Sequence, residues 1–217
     1  MANQDTSYGL RPIGLVGSGV NSTGVTQYEI ASDNDHAIYQ YGIVVPLNSG
    51  FIDYAGAVDG GTTQALGVLM GVEYVDSVSK KPVFKNYWPG SDSVSVDTNY
   101  PVKAFVADNP DQLFKVASDA SLVNRAGAVG KTFKNAGLGS SARLGSASTG
   151  VSSASLDVSS IAAPGATLPL RIVGIMDDPA NEDFAAAGIP LIVRLNAHFN
   201  SGTRRFDSES TADSTGI

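Results

Sequence analysis

Apolar and polar residues along this chain alternate in short runs; they do not recur every three or four positions. Thr26-Gln-Tyr28-Glu-Ile30 alternates strictly, the period of a half-buried strand whose successive side chains face opposite ways. Residues 37–41 and 43–45 repeat the pattern on either side of Gly42, and 51–54 is a short run between Ser49-Gly50 and Gly56. Residues 65–75 predict one long strand or two, with Gly67 and Gly71 as bulges or points of close approach. Val83-Phe84 with Tyr87-Trp88, then 94–96, 102–107 and 113–116, continue the series, and 168–176 and 189–199 predict two further strands. Strand-length segments separated by Gly, Asn, Asp and Pro turns predict an all-β chain, an antiparallel barrel or sandwich.

Helical signals are few. Residues 118–123 have the makings of one turn capped by Ser118 or Asp119. Residues 179–188 place Pro179 first, acids early and Gly188 last, which predicts a helix of one to two turns. Between these, residues 117–166 are dominated by Ala, Ser and Gly, with Phe133 as the only aromatic. This segment is expected to be a weakly paired excursion on the sheet, with short strands near 144–148 and 151–156. The opening stretch mixes Tyr8, Leu10, Ile13 and Leu15 with Gly9, Pro12 and Gly14. Disordered tails seldom carry so many large apolar residues. The expected organisation is an extended N-terminal arm over 1–25, a β-rich domain over 26–199 and a flexible polar tail over 200–217. The arm would bury its apolar residues on another surface, in its own chain or a neighbour's.

Composition narrows the function. Charged residues make up 16% of the chain, against about 25% in ordinary soluble domains, so partners are expected to cover part of the surface. Fourteen basic against 21 acidic residues give −7, and the basic pairs Lys80-Lys81 and Arg204-Arg205 stand apart. Such a chain gains little from counterion release, so nucleic acid is not an expected partner. There is no cysteine, which removes disulfides, thiolate metal sites and thiol nucleophiles together. No apolar run approaches the roughly 18 residues of a membrane span, and Met-Ala-Asn-Gln-Asp lacks signal-peptide architecture. A soluble protein made and kept inside the cell is expected.

The chemical motifs are weak. Gly127-Ala-Val-Gly130-Lys131-Thr132 has Arg125 where a phosphate-binding loop needs its first glycine. Gly17-Ser-Gly19 meets Ser22 in place of the third glycine of a dinucleotide fingerprint, and Gly137-Leu-Gly139 lies outside any strand–helix unit. His36 and His198 are the only histidines, and no Gly-x-Ser-x-Gly elbow accompanies them. Asp33-Asn34-Asp35 and Asp177-Asp178 with Glu182-Asp183 lack calcium-loop spacing, and the latter suits helix capping before Pro179. Asn21-Ser22-Thr23 is a glycosylation sequon that matters only to a secreted chain. Phe84, Tyr87, Trp88 and Tyr100 flank Pro89-Gly90, where grouped aromatics suit either core packing or an interface. No catalytic residue, cofactor or metal ligand is expected.

The order of these features resembles a family. The opening Met-Ala-Asn-Gln-Asp-Thr-Ser-Tyr-Gly-Leu-Arg-Pro12 is similar to the start of small structural proteins of tailed bacteriophages, encoded among head genes. The resemblance runs through Ala65-Leu-Gly-Val-Leu-Met-Gly-Val-Glu-Tyr-Val75 and Pro82-Val-Phe-Lys-Asn-Tyr-Trp-Pro89. It continues over 102–115 and from Leu168 to Phe199, and is weakest near 136–160 and in the tail. It implies a capsid decoration, or cement, protein made in the host cytoplasm and bound to the outer capsid surface. Its partners would be the major capsid protein and further copies of itself, as a trimer. On that reading Tyr8, Leu10, Arg11, Ile13 and Leu15 bind the capsid or a neighbouring subunit, and Phe84, Tyr87 and Trp88 form an aromatic interface. The rival is a head fibre or tail component reading a host glycan through Tyr87 and Trp88. A serine hydrolase using His36 or His198 is a third reading.

Overall fold

Strand pairing begins where the alternation is cleanest. Thr26–Ile30 forms β2 and Val102–Ala107 forms β7, paired in full antiparallel register from Thr26 opposite Val106 to Ile30 opposite Val102. The computed structural model describes residues 3, 7–18, 24–55, 64–139, 145–164 and 167–201. The chain is all-β, a sandwich of antiparallel sheets not closed into a barrel.

The second sheet runs β2, β7, β5 (Gly67–Val75), β3 (Ile43–Pro46), β4 (Ile52–Tyr54). The edge of β5 away from β7 is shared: β3 pairs with its first residues and β6 (Pro82–Lys85) with its last. The pairing of β5 with β7 shifts register between Leu69 and Gly71, a bulge at one of the glycines flagged by sequence. The first sheet runs β1 (Arg11–Leu15), β8 (Gln112–Ala117), β14 (Pro190–Leu195), β13 (Leu170–Ile175), β9 (Asn135–Leu138), β12 (Leu156–Ala162). A separate ribbon pairs β10 (Gly145–Ser146) with β11 (Val151–Ser152).

Period-2 alternation divides these strands between two cores. Ile43, Val45 and Val68 of the second sheet pack with Phe114, Val116, Leu170, Ile172, Leu191 and Val193 of the first. Val44 and Leu69 point the opposite way, into a second cluster with Val72, Tyr74, Val102, Ala104 and Val106. Ile38 and Trp88 cover that cluster, and both are fully buried.

Several expectations are corrected. Of the two surfaces open to residues 8–15, the chain's own is the one used, so no arm stands away from the domain: Leu10 is 0% exposed in the first core, and β1 pairs with the chain's own β8. Residues 37–41 make only single bridges, at Ile38 and Gln40, because Tyr41 turns the chain at φ 65° ahead of Gly42. Residues 94–96 likewise contribute one bridge, Val96 to Asp76. Helix α1 spans Arg125–Val129 instead of 118–123, because Asn124 supplies the cap, its side chain accepting the Gly127 N–H at 2.7 Å. Only Pro179–Asn181 is helical in the 179–188 segment, as a 3₁₀ turn capped by Asp178. The small-residue segment is built into the first sheet: β9 lies between β13 and β12, with Asn135, Ala136, Gly137 and Leu138 all buried. The tail beyond Ser201 lies outside the described residues, as do 19–23, which include the sequon.

Candidate functional site

The five residues expected to bind a partner separate by burial. Tyr8 and Leu10 are buried in their own chain, held where Gly9 donates to Ala154 O at 3.1 Å and Leu10 to Tyr41 O at 2.8 Å. Gly9 has φ +76°, and a Cβ there would stand 2.6 Å from Tyr41 O, so no other residue fits this turn without strain. Leu15 is partly covered, opposite Gln112 of β8. Arg11 and Ile13 are exposed. The Arg11 guanidinium lies 4.6 Å from the Tyr8 ring centroid, and Lys115 Nζ lies 5.2 Å from the same ring. One aromatic ring thus has two cations within cation–π distance.

The aromatic interface expected around Pro89 is also divided. Trp88 is 0% exposed, meets Tyr74 edge-on at 5.8 Å and donates its indole N–H to Asn34 O at 3.1 Å. It is therefore a core residue, unavailable as a platform for sugar rings. Tyr87 stacks on Tyr39, with centroids 5.4 Å apart, and donates its hydroxyl to Ala147 O. Phe84 is exposed on β6, with Tyr100 exposed ahead of β7.

The histidines sit apart from each other in role. His36 Nδ1 lies 2.8 Å from Asp53 Oδ2, and its ring meets Tyr54 edge-on at 4.9 Å. His198 is buried: Nδ1 accepts the Asn200 N–H at 3.0 Å, while Nε2 has no hydrogen-bond partner. Burial pushes its pKa below the ordinary histidine value; Asp108 and Asp111 oppose that shift and Arg194 reinforces it. Ser201 Oγ donates to the His198 carbonyl, not to its ring. Asp108 accepts from Thr26 Oγ1 at 2.8 Å, Tyr28 OH at 2.7 Å and Asn200 Nδ2 at 3.3 Å. The Tyr28 phenol is raised by burial first and by its bond to Asp108 second. This polar cluster ties the start of β2 and the end of β7 to the end of β14.

The remaining motifs resolve into local structure. Gly127 lies inside α1 and Gly130 forms its C-cap, so the phosphate-loop resemblance is a short helix and its ending. Asp178 accepts from Ala180 N and Asn181 Nδ2, and Asn181 chiefly holds its carboxyl below the usual range. Among the described residues, no group of three or more His, Asp or Glu is placed to hold a metal ion.

Sequence reasoning missed one feature. Val123 and Phe133 have φ of 71° and 68° and are 74% and 70% exposed, with Val129 of α1 exposed between them. Left-handed backbone is signalled by Gly or Asn, so a β-branched residue and an aromatic gave no warning. No family model, curated protein or solved structure matches the chain.

Proposed function

We propose that this chain is a non-enzymatic capsid decoration protein of a tailed bacteriophage. It binds the outer surface of the major capsid protein shell as a homotrimer and stabilises the shell across subunit junctions. The observation that carries this reading is the pair Val123 and Phe133, large apolar side chains held in water on left-handed backbone. Each such residue costs about 1–2 kcal/mol in the isolated chain. Strain of that kind is kept where an external contact uses it, and exposed apolar surface contributes about 25 cal/mol per Å² only once covered.

Two further features favour an interaction role. Among the described residues the catalytic-looking motifs fall on caps, turns and core positions, and the low charge content leaves much of the surface suited to burial. The phage assignment rests on the sequence resemblance of the opening residues and the strands at 65–75, 82–89 and 168–199. A shell repeats each contact many times, so a standard interface of roughly 800 Å² per partner suffices.

Adding purified protein to shells assembled without it tests the reading. Saturable binding at a fixed multiple of the capsid lattice, with a raised shell disruption temperature, is the expected result. Shells that stay bare at micromolar protein contradict it.

A further inference from the structure

We propose that copies of this chain join head to tail: the patch of Val123, Val129 and Phe133 on one copy docks on the loops carrying Asp33, Asp35 and Asp92 on the next. This rests on the decoration reading only for the number of copies, three.

The patch is held in shape before anything covers it. Phe133 donates its N–H to Ile172 O at 2.8 Å, and Lys134 O accepts the Ile172 N–H at 2.9 Å. The backbone on both sides of this left-handed residue is thus fixed to β13. Two consecutive turns bring the neighbouring side chains together: Thr132 N–H donates to Val129 O at 3.0 Å, and Lys134 N–H to Lys131 O at 3.2 Å. Ahead of α1, the Val123 N–H donates to Ser121 Oγ at 3.0 Å and the Leu122 N–H to Phe184 O at 3.0 Å. An apolar surface anchored in this way loses little further freedom on docking.

Charge says what covers it. No Asp or Glu occurs from Ala120 to Leu156 in a chain of net charge −7, whereas Arg125, Lys131 and Lys134 all fall in the patch segment. Arg125 has its own counter-ions, Asp177 at 2.8 Å and, more weakly, Glu182. Lys131 and Lys134 are partly exposed, and among the described residues neither ammonium meets a carboxylate. A cationic, apolar patch on an acidic chain finds its complement on another copy of that chain.

The matching surface lies at the end of β2. Ser91 N–H donates to Asn34 O at 2.8 Å and Ser91 Oγ to Asp33 O at 3.2 Å, which ties residues 33–35 to 90–92. Asp33, Asp35 and Asp92 are exposed there. His36 Nε2 lies 3.7 Å from Asp35, while no cation meets Asp33 or Asp92 among the described residues. Tyr100, 54% exposed, stands two residues before Val102, whose partner Ile30 stands three before Asp33, so it borders the same loops. It offers Phe133 an aromatic contact. The two surfaces differ and belong to different sheets, so the contact is heterologous and closes as a ring of copies.

Light scattering behind size exclusion, from about 1 to 100 μM full-length chain, tests this. The parent should run as a discrete oligomer that high salt loosens. Lys131→Glu/Lys134→Glu and Asp33→Lys/Asp92→Lys should each weaken association at least about tenfold. All four substitutions in one chain should restore it to within about threefold of the parent, because both signs are exchanged. Lys81→Glu/Lys85→Glu, an equal charge change around β6, should associate like the parent. Phe133→Asn relieves backbone strain and should shift the chain to monomer, which keeps the test decisive where a charge-reversed chain fails to fold. A parent monomeric throughout that range, equal loss in the Lys81/Lys85 variant, or undiminished association of Phe133→Asn would overturn the proposal. So would a fourfold variant as dissociated as either pair. A monomeric parent that nevertheless saturates shells defeats this contact and the trimer but not the decoration role. An associating parent that leaves shells bare defeats the decoration reading and leaves this contact standing.

Discussion

Ile38 and Trp88 exchange both of their backbone hydrogen bonds, at 2.8 and 2.9 Å, and so carry the indole onto the second core. Neither residue belongs to one of the sheets. They cover the second sheet where a third layer would otherwise be needed.

Trp88→Ala should therefore destabilise the protein by about 3–5 kcal/mol, the range for emptying a large aromatic site. The chain has one tryptophan, which both variants lose, so far-UV circular dichroism follows the urea unfolding of all three proteins and tryptophan emission serves the parent alone. Urea unfolding should red-shift the emission of the parent, and the midpoint for Trp88→Phe should fall between those of Ala and parent. An Ala variant as stable as the parent would place the indole outside the core.

Gly9 fixes the entry to β1. Gly9→Ala adds a Cβ 2.7 Å from Tyr41 Cβ on backbone at φ +76°, and should cost at least about 1–2 kcal/mol. Removal of residues 1–16 takes Leu10 and the whole of β1 with it, so the truncated chain should lose cooperative unfolding as well as any partner. Circular dichroism melts of both variants check this. A truncated protein that melts like the parent would mean the first core does not need Leu10.

His198 makes stability depend on pH in a defined direction. Its folded pKa is lowered by burial from the ordinary value of 6.5. The neutral ring thus contributes full stability above about pH 6.5. As pH falls through that value the unfolded chain takes up the proton first, and stability drops until the folded-state pKa is passed. The urea midpoint should decline as pH falls below about 7 in the parent. His198→Asn keeps an acceptor for the Asn200 N–H and should flatten that decline. A separate loss below about pH 4 should persist in both. It comes from Asp76, Asp97 and Asp178, whose carboxyls are lowered chiefly by Ser79, Lys80 and Asn181 respectively.

Val123→Gly and Phe133→Asn relieve left-handed strain with residues that tolerate it. Each should raise stability by up to about 1 kcal/mol. The decoration reading predicts that the same substitutions weaken shell binding severalfold. Calorimetry and a shell co-sedimentation assay measure the two effects separately. Gain of stability with undiminished binding would remove this patch from the contact.

Much of the β architecture was legible because alternation alone specifies a half-buried strand. β2 and β7 match the expected bounds to the residue, and the Gly67 and Gly71 signals flanked a real bulge at Leu69–Gly71. Ala37–Tyr41 misled because alternating residues also serve a lone bridge, and only the backbone shows the turn at Tyr41. The segment around β9 read as a weakly paired excursion because its buried positions hold small residues, which suit a strand hemmed in on both edges. Residues 8–15 read as an arm because apolar residues among Gly and Pro do not say whose core they enter.

Copy number on purified virions tests the central claim most directly. Quantitative mass spectrometry or a particle reconstruction should find this protein at hundreds of copies, spread over the outer shell at equivalent lattice positions. A dozen copies or fewer at a single vertex, or none in the particle, would contradict it.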